Sequence, residues 1–179
     1  VSIADSTALI IANAGKIDPL LRMDGDGQMT DSQECWSCRS NTGEQRISPG
    51  PPIHVGEFWQ VEHAYPTRLP GWLVIVLRRH ADALHEIHPG EFIELAHVLE
   101  RTVRVLREVV ACEKEYVACY AELDHFRHVH FHVVPRAADM PAELLGTRSF
   151  ALLQVTECEA VPREEIRALC ETLRDAFMA

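Results

Sequence analysis

At 179 residues, with 47% hydrophobic, 25% charged and 7% aromatic residues, the chain can bury a core without disulfide staples and is neither disordered nor collagen-like. Its 17 basic and 27 acidic residues give a net charge of −10, which argues against a broad electrostatic grip on a nucleic-acid polymer. The longest apolar run, Trp72 to Leu77, is strand-length and falls short of the ~18 residues a membrane span needs, so no membrane partner is expected.

Residues 1–28 differ in pattern from the rest of the chain, and Met29-Thr-Asp-Ser is a plausible start of the domain proper. The expected organisation is an N-terminal extension over 1–28 and one domain over 29–179. The extension reads equally as a tail, a short accessory helix or a start placed too far upstream. Ala8 to Ala14 is mildly apolar but lacks the basic flank of a signal peptide. Asp24-Gly-Asp-Gly27 resembles part of a calcium loop. With Gly27 at the sixth loop position, however, Arg22 falls at the first and Gln33 at the twelfth, where carboxylates are needed. A solvated acidic turn is the better reading.

Cys35-Trp-Ser-Cys38 is a C-x-x-C pair, half of a tetrahedral metal site or a redox pair. A redox role would favour a thioredoxin-like βαβ context, which the flanking pattern lacks. The other four cysteines, at 112, 119, 158 and 170, sit in apolar segments and read as small buried hydrophobes. Together these suit a reducing, cytoplasmic compartment.

Glu57 to Glu62 is a short β-type run, and Pro66 and Pro70-Gly71 mark the loop before a buried strand, Trp72 to Leu77. Pro89-Gly90 opens a helix whose apolar residues at 92, 95, 99, 103, 106 and 110 predict its packing face. Further strands are expected at Tyr116–Tyr120, Val129–Val134 and, after the Pro141 turn, Phe150–Val155. Pro162 starts a last helix with Ile166, Leu169, Cys170, Leu173 and Phe177 on one side. This order suggests an α+β domain with an antiparallel sheet.

The most informative stretch is His128-Val-His-Phe-His-Val-Val134, followed by Pro135-Arg136. Strand alternation turns His128, His130 and His132 to one face and Val129, Phe131 and Val133 to the core. Three imidazoles along one face suit a metal site or, better, nucleophilic and acid–base chemistry on an anionic substrate. Imidazole is a good neutral-pH nucleophile toward phosphorus, and its neighbours can donate to phosphate oxygens.

With the C-x-x-C, the aromatic β-run, the Pro-rich loop, Gly-Trp-Leu-Val-Ile-Val, Arg-Arg-His and the amphipathic helix, this pattern resembles the histidine triad (HIT) superfamily of nucleotide hydrolases and transferases. The resemblance covers most of residues 35 to 136. It implies an antiparallel sheet of about five strands with one long amphipathic helix and a C-terminal helix, and it implies a homodimer. It also implies that His130 attacks an α-phosphorus to form a nucleotidyl-histidine intermediate that water resolves. His132 would bond the phosphate and the leaving-group side, and His128 would orient the site. Members with an N-terminal C-x-x-C complete a structural zinc site with two histidines, here His80 and His128 beside Cys35 and Cys38. His80 could equally cap a strand end, and Arg136 could hold a distal phosphate or be a surface arginine.

Two positions depart from the family pattern. Asp124 and His125 stand near the place of a Gly-Gln that precedes the triad, so phosphate contacts need another source, such as His125 or the main chain. Glu62-His63 stands where a ribose-binding aspartate is usual, which makes Glu62 or His63 the candidate ribose contact. The expected activity is hydrolysis of a nucleotide conjugate, a dinucleoside polyphosphate or an adenosine phosphoramidate, at its α-phosphate. The Pro-Arg ending leans toward the polyphosphate branch. Nucleotidyl transfer and a zinc-stabilised nucleotide-binding module with little turnover are the alternatives. Trp36, Trp59 and Trp72 could stack on a base, although core packing suits at least two of them.

Overall fold

The structure, a computed structural model, describes residues 35–179. The expected extension over 1–28, the start of the domain at 29 and the acidic turn at Asp24 lie outside the described residues. Five antiparallel strands form one sheet in the order β1-β2-β3-β5-β4. They are β1 (His54–Val55), β2 (Trp59–His63), β3 (Leu73–Leu77), β4 (Lys114–Ala118) and β5 (His130–Arg136). The helices are α1 (Trp36–Asn41), α2 (Pro89–Val110) and α3 (Arg163–Met178). The fold is α+β, as the order of sequence patterns predicts.

One expected strand is replaced by another. Residues Phe150–Val155 lie outside the sheet; a 3₁₀ segment, Gly146–Leu152, takes the first half of that stretch, and β1 makes up the five. Gly146 starts the segment at a φ of +65°, which glycine adopts without strain, and Ser149 Oγ donates back to its carbonyl at 2.8 Å. Phe150 and Leu153 are then one tight turn apart, and both pack on Ala64, Trp72 and Val134. An apolar run that reads as a strand is here a short helical cover for the sheet.

The main core lies between the sheet and the two long helices. Trp59, Val61, Leu73, Ile75, Leu77, Val129 and Val133 meet Leu95, Val98, Val105 and Leu106 of α2 and Ile166, Cys170 and Leu173 of α3. The buried face of α2 is turned from the expected stripe: Phe92 is exposed, whereas Val98, Thr102 and Val105 are buried. The stripe through 95, 98, 102, 105 and 106 follows the three–four spacing as well as the expected one does, and it is the one the sheet contacts. Of the four cysteines expected as buried hydrophobes, Cys112 and Cys170 are buried and Cys119 half-buried, but Cys158 is exposed in the loop before α3. A β-carbon on Gly50 would lie 2.6 Å from Cys170 Sγ, so glycine lets this loop press against α3.

Pro89 occupies the first turn of α2, where its missing N–H costs nothing. The His88 N–H donates to Glu91 at 2.7 Å, and Arg79 clasps both oxygens of the same carboxylate at 2.6 and 2.7 Å. That grip, led by the Arg79 hydrogen bonds, holds the Glu91 carboxyl below its usual range. It also fastens the residue beside His80 to the start of the long helix.

Candidate active site and metal centre

Residues paired directly across antiparallel strands share a face. His132 pairs with Val74, and Val74 with Glu62; His130 pairs with Val76, and Val76 with Gln60. The two histidines therefore stand on the sheet face opposite the long helices, with Gln60 and Glu62 two strands, about 10 Å, away. Only part of that face is apolar, covered by Phe150, Leu152 and Leu153.

Each histidine has a defined set of partners. His130 Nδ1 lies 2.6 Å from the carbonyl oxygen of His128. It must donate there, which leaves the lone pair on Nε2. That Nε2 stands 3.2 Å from Nε2 of His132. His132 Nδ1 in turn accepts from the indole N–H of Trp72 at 3.2 Å. Burial lowers the pKa of both rings, and it and the neighbouring His130 hold His132 down at about 3. Both imidazoles are thus neutral near pH 7, the nucleophilic form.

His128 sits two residues before β5 and is fully buried. Its Nε2 donates to the Leu77 carbonyl at 2.6 Å, which leaves Nδ1 as a lone-pair donor. That atom lies 3.4 Å from both Cys35 Sγ and Cys38 Sγ, and His80 Nδ1 lies 3.4 Å from Cys38 Sγ. All four donor atoms fall within 4.8 Å of one another. Around a tetrahedral zinc ion, sulfur and nitrogen donors are separated by about 3.3–3.8 Å. The donor set therefore fits such an ion, and the His128–Leu77 bond is the outer contact that fixes a metal-binding tautomer. Burial and the adjacent Cys35 push the Cys38 thiol up to about 12, a penalty on the thiolate that a cation in the cluster would offset. The CxxC helix is pinned to the same point, because Asn41 Nδ2 also donates to the Leu77 carbonyl at 2.8 Å.

The remaining sequence candidates are placed very differently. Glu62 shares the triad face but is 4% exposed and already engaged: Arg46 pairs with it at 3.1 Å, and Ser40 and Gln60 donate to it. Burial raises its pKa against the pull of Arg46. His63 points to the opposite face, with Nδ1 donating to the Ala64 carbonyl at 2.6 Å and Nε2 accepting from Gly71 N–H at 2.9 Å. The structure does not bring it to the triad. His125 lies in the loop before β5, its ring stacked on Trp36 at 5.0 Å and 8°. Arg136 ends β5 and pairs with Glu113 at 3.0 Å, four residues along the strand from His132, about 14 Å away.

Two residues belong to the site in roles the sequence did not suggest. Trp72 is buried as expected, but its N–H goes to His132. Phe150 stands edge-on to His132 at 4.9 Å, to Trp72 at 5.1 Å and to Tyr120 at 5.4 Å, closing an aromatic wall beside the triad. The need of a buried indole N–H for a partner was the one available sign for Trp72; Phe150 left none. Nearby, a cavity of about 280 Å³ between Asp82–His85 and Cys119–Glu122 is lined by none of the three histidines.

No protein-family model matches the sequence, and no curated protein matches it either. Solved structures do match. A zinc-bound histidine triad family protein from Mycobacterium smegmatis is 21% identical, with a TM-score of 0.61, covering 82% of this chain and 95% of that one. A histidine triad protein from Bradyrhizobium japonicum is also 21% identical, with a TM-score of 0.61 and coverages of 80% and 98%. A hypothetical histidine triad nucleotide-binding protein from Sulfolobus tokodaii has 15% identity, a TM-score of 0.63 and coverages of 80% and 92%. With its strand order, its paired histidines and its Cys₂His₂ cluster, the chain has the fold of the histidine triad proteins.

Proposed function

We propose that the protein is a nucleotide-conjugate hydrolase that cleaves at the α-phosphate through a nucleotidyl-histidine intermediate. The observation that carries this is the tautomer of His130: its Nδ1–H is held by the His128 carbonyl, so Nε2 carries the lone pair, which meets His132 Nε2 at 3.2 Å until a substrate takes its place. In the proposed reaction that lone pair forms a bond to the α-phosphorus while the bond to the leaving group breaks, its electron pair departing with the leaving atom. Water then attacks the same phosphorus and the P–N bond breaks. The pair returns to Nε2, and the water's proton passes to solvent. His132 Nε2 hydrogen-bonds a phosphoryl oxygen, and the fixed donors need no reorganisation as charge develops. His128 orients His130 through its carbonyl and takes part in the metal cluster through its ring.

Cys35, Cys38, His80 and His128 are the proposed zinc ligands. Four protein donors leave no open position, so zinc there is structural and braces the strand that carries His130. His125 is the proposed phosphate contact, and the Glu62–Arg46 pair is the proposed polar floor under the ribose. Arg136 could reach only a distal phosphate. No helix among the described residues is long and apolar enough to cross a membrane, and all six cysteines are free, which suits the cytoplasmic placement. The edge strand β4 is a candidate face for the homodimer that the resemblance implies, to be checked by light scattering.

The deciding experiment follows product formation from diadenosine tetraphosphate and an adenosine phosphoramidate, with the parent and His130→Ala side by side. Turnover confined to the parent supports the reading; equal turnover in the variant removes His130 as nucleophile. Added inorganic phosphate tests for transfer, since a nucleoside diphosphate product would reveal a phosphorylase. One observation favours a second reading, a nucleotide-binding module with little turnover: Arg46 and Arg136, cations on this face, are each paired with a glutamate. Binding without turnover, unchanged in His130→Ala, would support that module.

A further inference from the structure

We propose that Trp72 is a positioning residue that keeps His132 a neutral hydrogen-bond donor, so that the site cleaves nucleoside phosphoanhydrides and discriminates against phosphoramidates. This rests on the hydrolase reading above and narrows its substrate class. An indole N–H can only donate. Its partner is His132 Nδ1 at 3.2 Å, so that nitrogen carries a lone pair and the single ring proton sits on Nε2. Nε2 is the atom that faces His130, 3.2 Å away. Trp72 is fully buried and cannot turn aside, because Phe150 stands edge-on to both it and His132. To become a cation, His132 would need a second proton on Nδ1, where it would meet the Trp72 N–H donor against donor. Burial of the ring acts in the same direction.

A neutral imidazole can lend a hydrogen bond but cannot give up its last proton without becoming an imidazolate. His132 therefore steadies a phosphoryl oxygen and does not protonate the leaving group. When His130 Nε2 bonds to the α-phosphorus, the electron pair of the breaking bond must rest on the departing atom. The phosphate oxygen of an anhydride takes that pair as a stable anion. The amine nitrogen of a phosphoramidate does not; it needs a proton as the P–N bond breaks and forgoes the about 10²–10⁴-fold that a general acid supplies.

The test combines two readouts on the full chain. Nitrogen-15 spectra of the labelled parent are expected to show His132 protonated at Nε2 and bare at Nδ1 near pH 7. Rates on diadenosine tetraphosphate and on an N-alkyl adenosine phosphoramidate are expected to differ by about 100-fold or more in favour of the anhydride. Trp72→Phe removes the N–H and keeps a ring; it should free the Nδ1 position and narrow that ratio about tenfold or more. Should this variant fail to fold, the parent's spectrum and its two rates decide alone. A parent His132 protonated at Nδ1 would overturn the clamp, whatever the rates. Parent rates within tenfold of each other, or a folded Trp72→Phe with an unchanged ratio, would overturn the leaving-group restriction. Failure to cleave either substrate, with the expected spectrum, would overturn the hydrolase reading and the restriction together and leave the Trp72–His132 bond standing.

Discussion

The two faces of β5 carry different tasks. On one, Val133 is fully buried against the long helices and Phe131 packs beside it. On the other, His130 and His132 hold each other at 3.2 Å, and His132 is bonded to Trp72 and flanked by Phe150. Hydrophobic burial is non-directional, so the first face tolerates change in proportion to the area lost. The second depends on which nitrogen holds a proton, so what a substitution there is expected to change first is chemistry. A single alternating strand thus sets core side chains beside candidate catalytic ones, with Val134 the one core residue on the histidine face.

Substitutions should break the two faces apart. The largest expected effect is on the reactive side: His130→Ala should lower turnover about 10⁴-fold or more. Its melting temperature should stay close to the parent's and nucleotide binding within a few-fold, as measured by calorimetry. A large loss of stability there would mean that the faces are not independent. Next comes the brace behind the strand. Cys35→Ser, or a chelator, should release zinc and lower the melting temperature, read by elemental analysis and thermal denaturation; a parent that purifies without zinc would refute the site.

His63 sharpens the contrast from the buried side. Burial, opposed only by its bond to Ala64, holds its pKa at about 4 against the ordinary 6.5. The unfolded chain therefore takes up the proton first as pH falls. Stability is full above about 6.5 and is lost between there and about 4, by about 3 kcal/mol for this residue at the acid end. Denaturant titrations across that range, with His63→Gln as the flatter control, would check it. The smallest effect belongs to the core face: Val133→Ala should cost about 2 kcal/mol and leave the anhydride rate unchanged.

Much of the molecule is legible in the sequence because it is local. Period-two alternation places His130 and His132 together, and the C-x-x-C spacing, joined to the family resemblance, names the four donors that the fold gathers. What escapes is contact made at a distance. Trp72 and His132 are sixty residues apart, and their hydrogen bond exists only because β3 and β5 pair in one register. Composition alone does not tell the Phe150 run from a strand, since tertiary packing chooses a 3₁₀ turn for it. The position of Glu62 in the sequence suggests a side chain open to a ribose; its ion pair with Arg46 depends on a loop whose path has no periodic signature.

Residue 128 has no spare polar atom. Its main-chain N–H donates to Phe126 at 2.7 Å, its carbonyl accepts from His130, one ring nitrogen donates to Leu77 and the other faces the cysteines. A cysteine at this position could still bind a metal, yet it could not donate to Leu77, the carbonyl on which the CxxC helix also rests. Interchangeability of ligands, a common freedom of zinc sites, is thus withdrawn at one of the four corners. The histidine there works as a joint between the Cys–His cluster and the strand that carries His130.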